Sequence, residues 1–383
     1  MNPIVYVSRI VPRYRVPVLE RLNERLDGRL VVCAGVPPGT SSLNTLTEQR
    51  EAPAYRTAPV QNLWLRGESL HAHRGLKRAL TAHGKPAVVL AEESPRSLTL
   101  PWLLRYAKQL GAGTAIWGHF SSNNRPFDPS RWPDRYRVWL ARHADAAVCY
   151  TDGIRNLLRP HVPAEKLFVA RNTLDTDRLF RLREGLEREG REAVRRRIGI
   201  PEGHAVLSFI GRLIPSKGTE LLLDTFAQIR ARRPATLLII GDGPEREAMQ
   251  QRTSFEPIPD VHFLGAMARW ERSAPYLFAS DVMLMPGYLG LAVNHAFAFG
   301  VPVVSREAPA GIRFHSPEVE FVDDGITGRL VPWATPEDLP AAVQDVLTHH
   351  DRYADAALDY ATKHLSLDVM VDGLVDAIRY AGG

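Results

Sequence analysis

Arg212 and Lys217 stand five residues apart in the segment GRLIPSKG, directly after the apolar run Val206 to Ile210. An amphipathic helical pattern follows, and a second apolar run, Leu237 to Ile240, closes in Gly241-Asp242-Gly243-Pro244. Cations beside glycines are suited to holding phosphate oxygens where the backbone must come close. Short buried strands alternating with a helix predict a parallel sheet, whose ligands bind at the carboxyl ends of its strands. The expected chemistry is capture of a phosphorylated ligand by Arg212 and Lys217. The plain alternative is two surface cations beside a turn.

Positioning such residues takes a repeated strand–helix framework, and the sequence carries one in each half. Apolar runs occur at Ile4 to Val7, Leu30 to Ala34, Ala87 to Ala91, Thr114 to Trp117, Ala146 to Tyr150 and Leu167 to Ala170. Helical patterns such as Val16 to Leu26 and Leu98 to Leu110 lie between them, so the first half reads as a doubly wound sheet. A second series runs through Val206 to Ile210, Leu237 to Ile240, Val261 to Leu264, Val282 to Met285 and Val301 to Val304, then Gly328 to Val331. Thr335-Pro336-Glu337-Asp338 predicts a helix start with Thr335 as its cap. The expected domains are residues 1–172, a charge-dense linker at 173–203, and residues 204–362. A terminal helix within 363–383, patterned from Leu367 to Tyr380, is expected to pack back on the first domain.

The 383 residues are long enough for two domains, and 45% hydrophobic with 24% charged residues is a globular composition. Cys33 and Cys149 sit inside apolar runs far apart, which predicts buried thiols in a reducing compartment. No basic segment followed by an apolar core stands at the amino end, so a signal peptide is not expected. Val282 to Ser305 lacks Asp, Glu, Lys and Arg, but its prolines and glycines predict strand, turn, helix and strand in place of a membrane span. Charge is uneven. Residues 1–170 hold 24 Lys and Arg against 13 Asp and Glu, a net of +11; the remainder holds 24 against 30, a net of −6. Either the basic surface is merely solvated, or the first half meets an anionic membrane or a phosphorylated acceptor. No nucleic-acid motif accompanies the charge, and no nucleic-acid partner is expected.

The second half resembles the donor-binding domain of family-4 glycosyltransferases. The resemblance rests on GRLIPSKG at 211–218, IIGDGPERE at 239–247, VHFLGAM at 261–267, SDVMLMPGYLGLAVNHAFAFGVPVVS at 280–305 and EVEFVDDGITGRLVP at 318–332. Trp117-Gly118-His119 and Asn172-Thr173-Leu174-Asp175 extend it more weakly into the first half. It implies an α/β fold of the GT-B type: two Rossmann-like domains facing each other across a cleft, the second holding the donor. Arg212 and Lys217 then bind the donor diphosphate, and the implied donor site adds Gly211, Gly243, Pro244, Met267, Gly287, Tyr288, Leu289, Gly290 and Leu291. His119 is implied near donor sugar and acceptor, where it either relays a proton or plays a structural part.

One segment departs from the family. Its pattern resembles EGFGLxxxEAxAxGxPV, and alignment on Gly290 and Gly300 puts Gly287 and His295 in the two glutamate positions. His295 retains hydrogen-bonding capacity toward a ribose, whereas Gly287 has no side chain. Glu318 and Glu320 are candidate replacement acids, with surface carboxylates as the alternative. On the acceptor side the candidates are Arg9, Arg13 and Arg15 in the first loop and Glu92 and Glu93 after the third run. Each of these is also readable as a solvated side chain on a loop.

The resemblance implies transfer of a sugar from a nucleotide diphosphate sugar to a hydroxyl acceptor with retention. UDP is the expected nucleotide and GDP its alternative. The expected setting is bacterial polysaccharide or glycolipid assembly in the cytoplasm, at the inner membrane face. No metal or other cofactor is expected: the sequence has no HxxH-type pair and no Cys cluster, and Asp175-Thr176-Asp177 belongs to the linker-side match. Competing functions are a secondary-metabolite glycosyltransferase, a nucleotide-sugar epimerase, a glycoside phosphorylase and a non-catalytic nucleotide-sugar-binding protein.

Overall fold

The computed structural model describes residues 2–36, 53–66 and 69–383. The chain forms two compact units. One comprises Met1–Ser122, Phe127–Asp175 and Leu367–Gly383; the other comprises Asn123–Pro126 and Thr176–Ser366. Among the described residues no helix is long and apolar enough to cross a membrane.

The first unit is built on a seven-stranded sheet. Its strands are β1 (Ile4–Ser8), β2 (Leu30–Ala34), β3 (Arg56–Thr57), β6 (Val88–Glu92), β7 (Gly113–Gly118), β8 (Ala146–Cys149) and β9 (Leu167–Val169), in the order β3-β2-β1-β6-β7-β8-β9. A separate hairpin, β4 (Gln61–Leu65) and β5 (Leu70–Arg74), precedes β6. The helices are α1 (Val16–Arg25), α2 (Leu76–Ala79), α3 (Leu100–Gln109), α4 (Trp132–His143) and α5 (Asp152–Leu158), with the C-terminal helix Leu367–Gly382. All the main-sheet pairings are parallel. Crossovers cover both faces, so the strands are continuous apolar runs without alternation.

The C-terminal helix shows how sequence dictates this packing. Leu367, Met370, Val371, Leu374, Val375 and Ile378 recur at the spacing of one helix face, and each is buried. That face joins Tyr6, Leu90, Ala115, Trp117 and Val148 in one core. Cys33 and Cys149 are both buried and free, in the core on the opposite face of the sheet.

The second unit begins with α6 (Thr176–Glu189) and α7 (Arg191–Arg197), formed by the Arg-rich stretch expected to act as a linker. Both pack on α10 (Trp270–Ala279). Asp281 holds α7 there by ion pairs with Arg191 at 3.0 Å and Arg195 at 2.7 Å. The six-stranded parallel sheet runs β12-β11-β10-β13-β14-β15. These strands are β10 (Ala205–Ile210), β11 (Ala235–Ile240), β12 (Val261–Gly265), β13 (Val282–Met285), β14 (Val303–Arg306) and β15 (Gly328–Val331). Helices α8 (Thr219–Arg230), α9 (Arg246–Phe255), α11 (Ala292–Ala298), α12 (Leu339–Thr348) and α13 (His350–His364) complete the unit; the C-terminal helix is α14. Thr335 precedes a short turn of 3-10 helix but makes no side-chain cap bond, a correction to its expected role.

Leu374 is fully buried in the core beneath the first sheet. Leu374→Ala is expected to cost about 2–5 kcal/mol, read as a lower urea midpoint for the first unit. A midpoint unchanged from the parent would contradict this packing.

Candidate functional site

In both sheets the strand order reverses beside the first strand of the unit. The reversal falls between β1 and β6 in one and between β10 and β13 in the other. Crevices at the carboxyl ends of strands flanking such a reversal are where open α/β sheets bind ligands.

In the second unit the crevice is bounded by Gly211, after β10, and by Pro286 to Leu291, after β13. Lys217 lies at the end of a 3-10 turn and is half-buried. Its Nζ donates to the Tyr288 carbonyl at 2.7 Å and lies 4.7 Å from the Tyr288 ring centre. Burial pushes its pKa down to about 8, partly offset by the Glu318 carboxylate. The loop is tied down from several sides. Tyr288 N–H donates to the Ser216 carbonyl at 2.7 Å, and Arg306 Nε donates to the Pro286 carbonyl at 2.7 Å. Ser305 Oγ donates to the Met285 carbonyl at 2.7 Å. Leu289 N–H donates to His315 Nδ1 at 3.0 Å, and Ser316 N–H donates to the Leu289 carbonyl at 3.0 Å. Asn123 Nδ2 donates to the Tyr288 hydroxyl at 3.3 Å.

Gly287 presses against the backbone of residues 216–218. A Cβ there would overlap the Ser216 oxygen and the Lys217 carbonyl carbon, and Gly218 adopts a φ of 70° opposite it. No glutamate fits at 287 in this backbone. Gly243 is held likewise against the Leu213 backbone. Gly290 and Leu291 have N–H groups without backbone partners among the described residues.

The other donor-side candidates divide. Arg212 is exposed. Pro244 is exposed, Met267 is half-exposed after β12, and Leu289 is fully buried, so its side chain is core. His295 is half-buried on α11 with its ring edge-on to Trp270 at 5.6 Å. Burial lowers its pKa to about 4, and its Nδ1 has no partner among the described residues. Glu318 is buried near Lys217, whereas Glu320 faces outward, 3.7 Å from Arg313.

The first-unit crevice gathers Ser8, Glu92 and the β5 histidines. Ser8 Oγ lies 2.7 Å from Glu92 Oε2, which also accepts the Arg9 N–H at 3.3 Å. His71 and His73 meet edge to face at 5.4 Å. Burial pushes His71 down to about 3; it lowers His73 too, with Glu92 acting in the opposite sense. Both rings are therefore neutral near pH 7. His119 follows β7, half-buried, with its ring 6.1 Å from Tyr150 and its Nδ1 without a partner among the described residues.

Two acceptor-side candidates serve the core instead. Arg15 is buried, 4.2 Å above the Trp117 ring, and donates to Asn172 Oδ1 at 2.9 Å and to the Tyr150 hydroxyl at 3.2 Å. It is sequestered from ligand. Glu93 is buried in a pair with Arg137 Nε at 3.2 Å, and Arg137 also binds Asp134 at 2.7 Å. Arg9 contributes its backbone to the crevice, while Arg13 lies half-buried on the turn Arg13–Arg15. Among the described residues no cluster of His, Cys, Asp and Glu is arranged to hold a metal.

Sequence reasoning did not find His315, Arg306, Asn123 or His73. His315 reaches its partner 26 residues back, a contact with no local signature. His71 and His73 had a signal: alternate positions on a short strand point to one face.

Residues 204–349 match the family model for glycosyl transferases group 1. The matched segment lies within the second unit. The chain is 32% identical over 204 residues to D-inositol 3-phosphate glycosyltransferase of Geodermatophilus obscurus, covering 50% of this chain and 44% of that protein. It is 32% identical over 207 residues to the GDP-mannose-dependent alpha-(1-6)-phosphatidylinositol monomannoside mannosyltransferase of Mycolicibacterium smegmatis, covering 51% and 50%. It thus spans about half the length of these relatives. Anabaena HepE, crystallised with UDP, superposes with a TM-score of 0.69 at 18% identity, over 98% of this chain and 99% of that one. Sucrose-phosphate synthase of Thermosynechococcus elongatus gives 0.70 at 17% identity, over 99% and 98%. These likenesses establish the GT-B fold, with two Rossmann-like units.

His315 supplies a pH prediction. Its Nδ1 accepts from Leu289, so the proton sits on Nε2, which donates to the Arg306 carbonyl at 2.9 Å. Burial lowers its pKa from 6.5 to about 4. The folded state therefore binds its proton later than the unfolded state as pH falls. This contribution to stability is intact above about pH 6.5 and is lost as pH falls toward 4, by roughly 3 kcal/mol in all. His315→Asn should flatten the decline of melting temperature between pH 7 and 5. An unchanged slope would mean that another group causes the decline.

Proposed function

We propose that this protein transfers a sugar from a nucleotide diphosphate sugar to a hydroxyl acceptor, with retention at the anomeric carbon. The carrying observation is Lys217, half-buried and bonded to the loop after β13 at the second-sheet reversal. As the glycosidic bond breaks, negative charge grows on the departing diphosphate. A cation fixed where water is scarce stabilises that growth more than it stabilises the ground state. Arg212 reaches the same diphosphate from the exposed side of the turn, and the N–H groups of Gly290 and Leu291 add donors. His295 hydrogen-bonds the ribose. Glu318, buried near Lys217, supplies the acid that position 287 has no room for. The acceptor oxygen bonds to the anomeric carbon as the bond to the diphosphate oxygen breaks, and the acceptor proton passes to the leaving phosphate or to His119. No metal is required, because protein cations already face the diphosphate.

The acceptor hydroxyl is received at the first-sheet reversal by Glu92 and neutral His73. UDP remains the favoured nucleotide; the GDP-mannose-dependent relatives support GDP as the alternative. Relatives named for inositol phosphate and phosphatidylinositol mannoside support a polyol or lipid-linked acceptor and a place in glycolipid or polysaccharide assembly. We extend the proposal to a cytoplasmic enzyme whose basic first unit contacts an anionic membrane surface. The glycine at 287 favours one second reading, a nucleotide-sugar-binding protein without turnover, which a screen of donors and acceptors separates from the first.

Calorimetry with UDP and GDP tests the donor site. Lys217→Ala should weaken nucleoside diphosphate binding by about 2–5 kcal/mol and leave the nucleoside itself unaffected. Because the Lys217 pKa is about 8, affinity should fall as pH rises from 7 to 9, and Lys217→Arg should flatten that fall. Equal losses for nucleoside and diphosphate would refute the phosphate assignment. With an acceptor in hand, turnover in excess chelator should stay within a few-fold of that in Mg²⁺; loss in chelator, restored by a divalent ion, would mean that the enzyme uses a metal.

A further inference from the structure

Helices α3 and α4 carry two aromatic ladders on neighbouring surfaces of the first unit. On α4, Trp132 stacks on Tyr136 at 5.5 Å, and Tyr136 on Trp139 at 6.1 Å. On α3, Trp102 stacks on Tyr106 at 5.0 Å. An apolar groove of about 320 Å³ opens between Pro101 and the α4 ladder. Trp132 is 63% exposed, Trp102 40% and Leu98, just before α3, 53%. Exposed large apolar side chains gathered on adjacent elements mark a surface that binds something.

Charge identifies the occupant. Arg105 and Lys108 are exposed on α3, as are Arg131, Arg135 and Arg142 beside the α4 ladder. Lys108 lies 3.7 Å from Asp145, and Arg131 pairs with Asp128 at 3.1 Å. Arg105 and Arg135 have no carboxylate partner among the described residues, and Arg135 lines the groove itself. Aromatic rings that pass from apolar to wet surroundings, flanked by cations with long apolar stems, match the boundary between lipid chains and headgroups. A basic, aromatic helix face of this kind binds in the plane of an anionic bilayer.

We propose that the α3–α4 face is the surface by which this protein docks on an anionic membrane, with Trp102 and Trp132 entering the headgroup region and Arg105 and Arg135 meeting lipid phosphates. The inference rests on the membrane contact proposed above and assigns it to a place.

Sedimentation with vesicles of phosphatidylcholine alone, or with 30% phosphatidylglycerol, tests it; that percentage, roughly a third anionic lipid, gives a strong surface potential. The intact protein should bind the anionic vesicles, release with rising salt, and bind phosphatidylcholine weakly. Trp102→Ala/Trp132→Ala and Arg105→Gln/Arg135→Gln should each weaken anionic binding by roughly tenfold or more. These side chains are exposed, so melting temperatures should match the parent and exclude misfolding. Binding by the parent with equal binding by both folded variants would overturn the α3–α4 assignment while leaving the membrane contact standing. Absence of binding by the parent would overturn both. A concentration-dependent dimer abolished by Trp132→Ala, without vesicle binding, would give the groove to a second copy of the chain instead.

Discussion

The loop from Pro286 to Leu291 is the constraint on which the candidate donor site depends. It leaves a buried strand and must satisfy its backbone groups without a regular ladder, since buried unpaired peptide groups are costly. Lys217, Ser216, Arg306, His315 and Ser316 each take one of its carbonyls or N–H groups. The approach is close enough that position 287 admits only hydrogen as a side chain. The cation that would face a phosphate is thus also a structural tie, and its depressed pKa follows from that partly buried position. The glycine at 287, where the resemblance implies a glutamate, is a packing requirement of this loop. A carboxylate is still present nearby, on Glu318, but it comes from another segment of the chain.

The need to pair buried polar groups also divides the charged residues of the first unit. A buried charge needs a compensating partner. Arg15 finds aromatic faces, an amide and a hydroxyl, while Glu93 finds Arg137. Both are thereby committed to the core. Glu92, one residue away, points into the crevice, because successive strand residues face opposite sides. There it meets Ser8 and lies near His73, whose ring burial keeps neutral. Adjacent glutamates with the same sequence signature consequently have different physical roles.

Charge and apolar area combine in the same unit. The excess of Lys and Arg in residues 1–170 is a compositional fact, but composition does not say where a surface is sticky. Aromatic residues at i and i+4 on α3 and at i, i+4 and i+7 on α4 form continuous strips only because the helices present those positions together. Exposed cations border the strips, producing a face unlike an ordinary solvated surface.

By itself the sequence determined the strands, their parallel arrangement and the division into two α/β units, because buried runs of β-branched and aliphatic residues bounded by glycine are local signals. It also placed Lys217, Gly287 and Glu92 beside strand ends, since strand ends are where such runs stop. It did not reveal the β4–β5 hairpin, which buries the polar Asn62 and His71 and leaves Leu63 and Leu65 exposed, nor that the Arg-rich stretch read as a linker forms two helices packed on α10. Only the tertiary structure decided that Arg15 and Glu93 turn inward, that Glu318 lies near Lys217 while Glu320 faces solvent, and that His315 holds the loop at Leu289. Those outcomes depend on which distant groups share a low-dielectric space. Burial and pairing between segments many residues apart leave no periodicity for a sequence to display.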